Sequence, residues 1–264
     1  MRSVARTVKR LLDPVVDLRQ FASSVLHYGR YLKDLFAYRS MIADKGYNGP
    51  VSRIPITELY PCLHDRTAVT SFDHHYIYLN AWAFRRIVTN SPAAHVDVGS
   101  QLSFITLLSS VVPVTFIDLR PADIKLSGLE GKKGTILSLP YSDCSVHSMS
   151  SLHVIEHIGL GRYGDPLDPK GTELAMTELV RVIAPGGKLY IGVPVSKVER
   201  IRFNADRVFN PKTIINAFSE LGLKLVEFSY VDDLANMHYS ESPEKLDNCT
   251  FACGMFVFTK EMAH

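Results

Sequence analysis

The segments HVDVGS (95–100), VTFIDLR (114–120) and ELVRVIAPGGKLYIGVP (178–194) follow one another in an order that decides the fold. The first two are short apolar strands that each end near an acidic residue, Asp97 and Asp118. The third contains the end of an amphipathic helix, a glycine turn and another apolar strand. Strands that are apolar along their length and alternate with helices are typical of a parallel sheet buried on both faces. The order therefore predicts an α/β protein.

The rest of the chain extends this alternation. We predict a Rossmann-like, doubly wound and mostly parallel sheet of seven strands. The strands are expected at 95–99, 114–118, 134–138, 146–152, 188–194, 223–230 and 253–259. Two of the helices have clear boundary signals. Thr172 is expected to cap a helix at 173–183, and Asn210 is expected to cap a helix that begins with Pro211.

The first 92 residues differ from this pattern. Apolar residues recur there at helical spacing up to Met41, after which glycine and proline interrupt the chain. No flexible Gly/Ser linker precedes Ala93. We therefore predict two parts: a helical extension and connector at 1–92 that covers the binding pocket, and an α/β domain at 93–264.

The extension is also rich in basic side chains. One interpretation is a set of amphipathic helices packed on the domain with a solvated basic face. The other is contact with an anionic membrane surface or an acidic partner protein. No apolar run approaches the roughly 20 residues that span a bilayer, and the amino terminus lacks the apolar core of a secretory signal. We expect a cytoplasmic protein, with peripheral contact at the inner face of the membrane as the alternative.

Composition limits the classes of ligand. The 264 residues include 29 basic and 27 acidic side chains, for a formal net charge of +2. This balance argues against a dedicated nucleic-acid binder, which carries a strong basic stripe, and favours a small or neutral substrate. The four cysteines are scattered, and Cys249 and Cys253 have no matching Cys or His pair at zinc spacing. We expect reduced thiols and no metal site.

Two landmarks indicate a nucleoside site. Gly99 allows a tight turn and a close approach of the backbone to a ligand, and the helix that follows presents free N–H groups. Asp118 ends the second strand about 20 residues further on, where a carboxylate can accept hydrogen bonds from both ribose hydroxyls. The loop DVGSQLS (97–103) has Ser100 and Gln101 where glycine-rich loops have more glycines.

Together with TILSLPYSD (135–143) and SSLHVIEHI (150–158), these segments resemble the class I S-adenosylmethionine-dependent methyltransferases. The resemblance extends over about 93–260 and implies S-adenosyl-L-methionine as the cofactor. TILSLPYSD is similar to a family motif of the form D-A-x-x-L-P-F-x-D, with Thr135 in the place of the acid.

The resemblance also implies which residues hold the cofactor. It assigns the methionine part to Asp97, Gly99 and Ser100, and the ribose to Asp118. The further implied contacts are Leu119, the adenine-contacting backbone of Ile136, Leu137 and Ser138, and the strand exit at Ser151 and Leu152.

Three other segments resemble a poorly characterised branch of methyltransferase-like proteins. They are DHHYIY (73–78), HIGLGRYGDPLDPKG (157–171) and RIRFNADRVF (200–209). The bacterial members of this branch often accompany surface-polysaccharide genes. The resemblance implies a sugar or glycan intermediate of polysaccharide biosynthesis as the substrate.

The segment His153-Val-Ile-Glu156-His157 follows a predicted strand at the point where this fold exposes the donor methyl. Methyl transfer to a hydroxyl needs a base, and histidine is the side chain whose ordinary pKa suits that role. We expect His153 as the first candidate base and His157 as the second, with Glu156 orienting a histidine or contacting the substrate. The alternative is a purely structural helix start. The order of residues is not the zinc-type H-E-x-x-H.

The loop GLGRYGDPLDPKG (159–171) combines a shaped Gly/Pro backbone with polar side chains. Such a loop can bind the hydroxyls of a sugar and close over it; an ordinary solvated connection is the alternative. The predicted substrate contacts are Arg162, Tyr163, Asp165, Asn204 and Arg207. Weaker candidates for the same pocket are Asp73, His74, His75, Tyr76 and Asp206.

Three functions are open at this point. The first is an S-adenosylmethionine-dependent O-methyltransferase that acts on a sugar or glycan. The second is a nicotinamide-dependent sugar-modifying enzyme, which the absence of G-x-G-x-x-G and of a Tyr-x-x-x-Lys pair disfavours. The third is a non-catalytic methyltransferase-like module that binds a partner through its basic amino-terminal helices.

Overall fold

The computed structural model describes residues 18–43, 54–246 and 249–262. By compactness the chain divides into two units, Met1–Ser71 and Phe72–His264. The division lies about twenty residues before the boundary that we predicted at 92/93, because the helix at His74–Asn90 packs into the core of the second unit.

The first unit contains helix α1 (Leu18–Ala43) and a single 3-10 turn at Ile56–Glu58 within the described residues. Inside this unit Arg39 donates a hydrogen bond to the Ile54 carbonyl at 3.1 Å. The basic side chains before Leu18 lie outside the described residues. Of the helices that are described, none is long and apolar enough to cross a bilayer. The predictions that the extension covers the pocket and contacts a membrane or a partner protein stay predictions.

The second unit is built on an eight-stranded sheet. Its helices are α2 (His74–Asn90), α3 (Leu102–Leu108), α4 (Gly171–Val182) and α5 (Pro211–Glu220). Its strands are β1 (His95–Val98), β2 (Val114–Asp118), β3 (Leu129–Lys133), β4 (Val146–Leu152), β5 (Ile183–Val195), β6 (Arg200–Arg202), β7 (Asp206–Val208), β8 (Leu223–Val231), β9 (Met237–His238) and β10 (Ala252–Lys260).

The strand order across the sheet is β3-β2-β1-β4-β5-β10-β8-β9, and β6 pairs with β7 in a separate ribbon. Strands β1 to β5 pair in parallel, whereas β10 runs antiparallel between β5 and β8. The predicted doubly wound, mostly parallel Rossmann-like fold is confirmed. The sheet has eight strands and not seven, because the two-residue β9 extends the edge beside β8.

The predicted strand at 134–138 is wrong. The third strand is β3, with the sequence LEGKK, whose side chains are mostly exposed because it lies at the edge of the sheet. Residues 134–138 form a turn closed by a bridge between Thr135 and Ser138. The apolar side chains of this turn face a cavity, as described below.

One helix cap is confirmed and the other is wrong. The Asn210 side chain accepts a hydrogen bond from the Lys212 N–H at 3.0 Å, and Pro211 begins α5 as predicted. Thr172 does not cap α4, because its hydroxyl donates to the Ile155 carbonyl at 2.9 Å and the helix already begins at Gly171. A Cβ atom at Gly171 would lie 2.6 Å from the Ile158 oxygen, so glycine is required for this close contact.

Two apolar clusters hold the layers together. One includes the buried faces of α4 and α5, and the other packs α2 and α3 against the sheet. Helix α2 is anchored by Trp82, which donates to Glu227 at 3.1 Å, and by Arg86, which makes a bidentate pair with the same carboxylate at 2.8 and 2.9 Å. These contacts fix α2 on β8. The first turn of α2, which carries His75, thereby lies within hydrogen-bonding distance of Phe251, just before β10.

Candidate active site

A cavity of about 270 Å³ lies where β1, β2 and β4 end, and we call it the first cavity. The carboxyl edge of a parallel sheet is the usual ligand site of doubly wound folds. It is lined by Val98, Gly99, Ile117, Asp118, Leu119, Arg120, Gly134, Thr135, Ile136, Leu137, His153, Val154, His157, Ile158, Tyr163 and Asp165. Five of the ten predicted cofactor residues are in this lining: Gly99, Asp118, Leu119, Ile136 and Leu137.

The first wall is the turn after β1. Gly99 has a φ of +72°, and a Cβ atom there would lie 3.1 Å from a methyl carbon of Val154. Both facts favour glycine, which has no Cβ and adopts positive φ without strain. The turn thus brings bare backbone to the cavity surface.

Asp97 supports this turn from beneath. The carboxylate is fully buried and accepts hydrogen bonds from the Ser100 N–H at 3.0 Å, from the Ser100 hydroxyl at 2.7 Å and from the Ser150 hydroxyl. Burial raises the pKa of Asp97 to about 6, although these hydrogen bonds oppose the shift. Asp97 does not line the first cavity. Asp97 therefore positions the turn after β1 and lies beneath the surface that a ligand in this cavity would contact.

Four other predicted cofactor residues are also outside this lining. Ser151 and Leu152 are buried within β4, with the Ser151 hydroxyl donating to the Val98 carbonyl at 3.2 Å. Ser100 accepts a hydrogen bond from the Leu152 N–H at 3.0 Å and lines a neighbouring depression of about 380 Å³. Ser138 closes the turn after Thr135 without reaching the cavity. Their polar groups are used to hold the strand ends.

The second wall is the end of β2. The half-buried Asp118 accepts a hydrogen bond from the Arg120 N–H at 2.7 Å through Oδ1. Its Oδ2 atom accepts none from the part of the chain that the structure describes. Arg120, which the sequence did not single out, lies 5.2 Å from the ring centre of Tyr163, and both side chains line the cavity. One carboxylate oxygen therefore stays available to a ligand.

The third wall is the turn after β3. The Thr135 hydroxyl accepts a hydrogen bond from the Leu137 N–H at 3.2 Å, so it shapes the turn where the family has an acid. Ile136 and Leu137 supply apolar surface to the cavity, and a Cβ atom at Gly134 would lie 2.7 Å from Ile117. The wall is suited to a flat apolar group.

The histidine segment follows β4 directly. His153 has a φ of +57°, which is unusual for a residue with a side chain, and a 3-10 turn follows at Ile155–His157. The Nδ1 atom of His153 lies 2.8 Å from Glu156 Oε1. The Nδ1 atom of His157 lies 2.6 Å from the Ala205 carbonyl, which can only accept, so Nδ1 carries a proton, and Nε2 lies 3.8 Å from Glu156 Oε1.

Charges around the histidines differ. Burial lowers the pKa of His153, but Cys253 and Glu156 outweigh burial and raise the pKa well above its ordinary value. Burial, assisted by His153, lowers the pKa of His75 to about 4. Burial raises the pKa of Tyr76 to about 12, so its hydroxyl keeps its proton. His153 thus holds a proton firmly, which is unfavourable for a base.

A second cavity of about 420 Å³ shares His153 and His157 with the first. We call it the second cavity. Most of its lining residues have polar side chains, although the surface that they expose to the cavity is mainly apolar. They include the weaker candidates of the connector: Asp73, His74, His75, Tyr76, His153, Glu156, His157, Arg162, Pro194, Asp206 and Phe251. The two histidines therefore stand on the border between the two cavities.

The predicted substrate contacts are divided by the structure. Arg162 lines the second cavity, while Tyr163 and Asp165 line the first. Arg207 is buried and donates to the Ile158 carbonyl at 2.7 Å, so it braces the histidine turn. Asn204 is exposed in the β6–β7 ribbon and lines neither cavity.

The loop at 159–171 is ordered by Asp165. Its Oδ2 atom accepts hydrogen bonds from the Gly159 N–H at 2.7 Å and the Gly161 N–H at 3.3 Å, and Oδ1 accepts from the Tyr163 N–H at 3.2 Å. These hydrogen bonds lower the pKa of Asp165, although its partial burial opposes them. The Arg162 guanidinium lies 5.1 Å from the Tyr163 ring centre and donates to the Ala205 carbonyl. These hydrogen bonds give the loop a defined backbone conformation.

Cys253 is the residue that sequence reasoning missed most clearly. Its Sγ atom lies 3.5 Å from His153 Nε2, and the thiol is fully buried in β10. A hundred residues separate the two, so spacing along the chain gives no signal for this contact.

Comparisons with known proteins agree on the fold. A family described as "Caenorhabditis protein of unknown function, DUF268" matches residues 141–246, which is less than half of the chain. No curated protein matches. A chain of the complex between the Haloferax volcanii Trm112 methyltransferase activator and its assigned methyltransferase is 16% identical, with a TM-score of 0.53 over 72% of this chain and 91% of that one.

Two further solved structures are similar. The Burkholderia thailandensis 1,6-didemethyltoxoflavin-N1-methyltransferase, with bound 1,6-didemethyltoxoflavin and S-adenosylhomocysteine, is 11% identical, with a TM-score of 0.51 over 94% of this chain and 92% of that one. The [4+2]-cyclase SpnF is 12% identical, with a TM-score of 0.53 over 70% of this chain and 81% of that one. Together these likenesses show the Rossmann-like methyltransferase fold. They do not decide the reaction, since one of the three is a cyclase.

Proposed function

We propose that this protein is an S-adenosylmethionine-dependent methyltransferase. The observation that carries the proposal is the first cavity, where the bare turn at Gly99, the open oxygen of Asp118 and the apolar wall at Ile136 and Leu137 surround one space. A nucleoside with a cationic side chain requires these three surfaces: exposed backbone without a side chain in the way, an acceptor for the ribose hydroxyls and an apolar slot for the base.

The residues present fit this cofactor. Asp118 would accept the ribose hydroxyls, with Leu119 beside it, and the turn at 135–138 would face the adenine. Gly99 would approach the methionine part, while Asp97 and Ser100 hold the turn from beneath. The group supplies an electrophilic methyl carbon when bound. The cradle is specific because a Cβ atom at Gly99 or Gly134 would meet Val154 or Ile117.

The methyl acceptor is proposed to bind in the second cavity. Its shared border with the first cavity is formed by His153 and His157, where a nucleophile and a donor methyl could meet in line. A hydroxyl acceptor loses its proton during transfer. His157 is the better candidate base, because both nitrogens of His153 have close partners, Glu156 and Cys253, whereas Nε2 of His157 has no hydrogen bond among the described residues and only the longer 3.8 Å contact with Glu156. This reverses the order that we expected from the sequence.

The acceptor is proposed to be a hydroxyl of a sugar or glycan intermediate in polysaccharide biosynthesis. Four polar side chains within the otherwise mainly apolar surface of the second cavity support a ligand with hydroxyl groups, since Asp73, Tyr76, Arg162 and Asp206 can donate or accept hydrogen bonds there. The link to polysaccharides itself rests on the resemblance of the sequence to that branch.

The direct test is a mass-spectrometric screen of the full chain with S-adenosylmethionine and a panel of nucleotide sugars and sugar phosphates. We expect a product heavier by one methyl group from at least one sugar, with stoichiometric S-adenosylhomocysteine. Transfer to amines or thiols only would keep the methyltransferase and overturn the O-methylation. Consumption of NAD in place of S-adenosylmethionine would overturn both.

A further inference from the structure

Three buried side chains from distant parts of the chain meet beside the second cavity. They are His75 in the first turn of α2, His153 after β4 and Cys253 in β10. Each offers one ligand atom, and the three atoms lie within 4.8 Å of one another. We propose that His75, His153 and Cys253 bind a zinc ion. We expected no metal from the sequence, because the spacing of the cysteines gives no sign of a site whose ligands come from three separate elements.

The measured contact has the length that a shared metal requires. Cys253 Sγ and His153 Nε2 are 3.5 Å apart. A tetrahedral zinc ion with Zn–S of about 2.3 Å and Zn–N of about 2.0–2.1 Å places its sulfur and nitrogen ligands about 3.6 Å apart. Nitrogen and thiolate together are the ligand types that zinc prefers, whereas magnesium and calcium require oxygen.

Both histidines have an acceptor on one ring nitrogen, as metal-ligating histidines do. His153 Nδ1 lies 2.8 Å from the Glu156 carboxylate, and His75 Nε2 lies 3.1 Å from the Phe251 carbonyl. Because these oxygens accept, the facing nitrogens carry protons, and the nitrogens left for the metal are Nδ1 of His75 and Nε2 of His153. On His153, zinc would displace the proton between Nε2 and Cys253, which leaves to solvent. Such outer acceptors fix the tautomer and the direction of the ring.

Buried negative charge supports a cation at this place. Glu156 is fully buried, and its Oε2 atom has no hydrogen-bond partner among the described residues. The Cys253 thiol is equally buried a few ångströms away. The nearby Arg207 guanidinium is hydrogen-bonded to the Ile158 carbonyl. A buried carboxylate is costly unless opposite charge accompanies it; the proton on His153 provides that charge without metal, and a divalent ion on His153 would take its place.

The backbone holds His153 toward this cluster. Its φ of +57° lies in the left-handed region, which is strained for a residue with a Cβ. Strain of this kind persists where surrounding structure requires it, often at functional sites. The His153 ring lies parallel to the His75 ring, with 5.7 Å between centres and 7° between planes. The Phe251 ring stacks on the His75 ring, with 5.1 Å between centres. The cluster is thus rigidly packed.

Two of the three ligands, His75 and His153, line the second cavity. Three protein ligands with a fourth position toward a cavity are the arrangement of catalytic zinc sites. Resting on the proposed function, we infer that this fourth position receives an oxygen of the acceptor, which a zinc ion polarises and makes easier to deprotonate. The zinc site itself does not depend on the proposed function.

The test uses the full chain freed of metal with a chelator. Zinc added alone is expected to bind at one ion per chain, and Co²⁺ in its place is expected to give a sulfur-to-cobalt charge-transfer band with the strong visible absorption of tetrahedral geometry. Cys253→Ala should abolish that band, and His75→Gln should weaken zinc binding by at least 100-fold. Glu156→Gln should weaken it by about 10–100-fold, the effect of losing an outer acceptor.

Matched controls are Cys249→Ala and His147→Gln, a half-buried cysteine and an exposed histidine outside the cluster, which should bind zinc like the wild type. A wild-type chain that binds no zinc, or a Cys253→Ala variant that binds it unchanged, would overturn the site. The first of these results needs no variant, so a misfolded variant cannot rescue the proposal. Binding of S-adenosylhomocysteine is measured on the same samples. Zinc without the nucleoside contradicts only the proposed function, and the nucleoside without zinc contradicts only the metal site.

Discussion

The Nδ1 atom of His153 lies 2.8 Å from the Oε1 atom of Glu156, and this contact separates the roles of the two histidines in the HVIEH segment. With its other nitrogen facing Cys253, His153 is a fixed part of the cavity wall. His157 is anchored in the same way, with Nδ1 donating to a backbone carbonyl, but its Nε2 has no hydrogen bond among the described residues. The segment therefore has one histidine with close partners on both ring nitrogens and one whose Nε2 is open to another group.

We expect His157→Ala to lower turnover by about 10²–10⁴-fold, the usual effect of removing a general base, with nearly unchanged affinity for S-adenosylhomocysteine. The assay is methyl transfer to the sugar found in the screen. His147→Ala is the matched control, because His147 is exposed on β4 and lines neither cavity. If His157→Ala retained wild-type turnover, the base would have to be another group.

Gly99→Ala should weaken binding of S-adenosylhomocysteine by about tenfold or more, equivalent to about 1.4 kcal/mol. The added Cβ meets Val154 at 3.1 Å and is strained at a φ of +72°. Gly222→Ala provides a control with a similar φ of +93° but no atom within 4 Å of the new Cβ. Calorimetry on both variants separates backbone strain from damage to the cavity. Equal loss of affinity in the two would contradict the proposed approach of the ligand at Gly99.

Asp97 should make folding stability fall with rising pH. Its pKa is about 6 in the folded protein, raised by burial, and about 3.9 in an unfolded chain. The folded state therefore binds the proton more tightly, so the stabilisation is complete below about pH 4 and is lost by about pH 6. The loss amounts to about 3 kcal/mol. Urea unfolding across this range should show a flatter profile for Asp97→Asn, and identical profiles would mean that Asp97 titrates normally.

Glu227→Ala should destabilise the second unit by about 1–3 kcal/mol. The substitution leaves the Trp82 N–H and the Arg86 guanidinium without their shared acceptor and loosens α2 from β8. Urea midpoints report the effect. Glu220→Ala, at the exposed end of α5, is the control and should change stability by less than about 0.5 kcal/mol. A similar loss in both variants would show that Glu227 has no special role.

The sequence predicts those parts of the fold that have local signals. β2 and β5 contain apolar runs, and Asn210 with Pro211 marks a helix start by hydrogen bonding within one turn. The same chain gives no local sign of β3, because an edge strand needs no apolar side chains and LEGKK has few.

The site was predictable to the same extent. Gly99 and Asp118 line the first cavity, as expected for residues whose position depends only on where a strand ends, and their contacts with a cofactor stay predictions. The buried contact of Asp97 with Ser150 joins two neighbouring strands, and the cluster of His75, His153 and Cys253 exists only after α2, β4 and β10 have packed. Tertiary contacts of this kind join residues far apart in the chain, so no regular spacing in the sequence indicates them.

We propose that the first cavity binds the methyl donor with its ribose on Asp118. Isothermal calorimetry of the full chain with S-adenosylhomocysteine tests this binding, with NAD as the competing ligand. The control variant is Glu130→Ala, which removes an exposed acid on β3. We predict binding of S-adenosylhomocysteine and not of NAD, unchanged in Glu130→Ala and weakened in Asp118→Ala by the equivalent of about 1–3 kcal/mol. No heat of binding with S-adenosylhomocysteine, or equal affinity in a folded Asp118→Ala variant, would contradict the account.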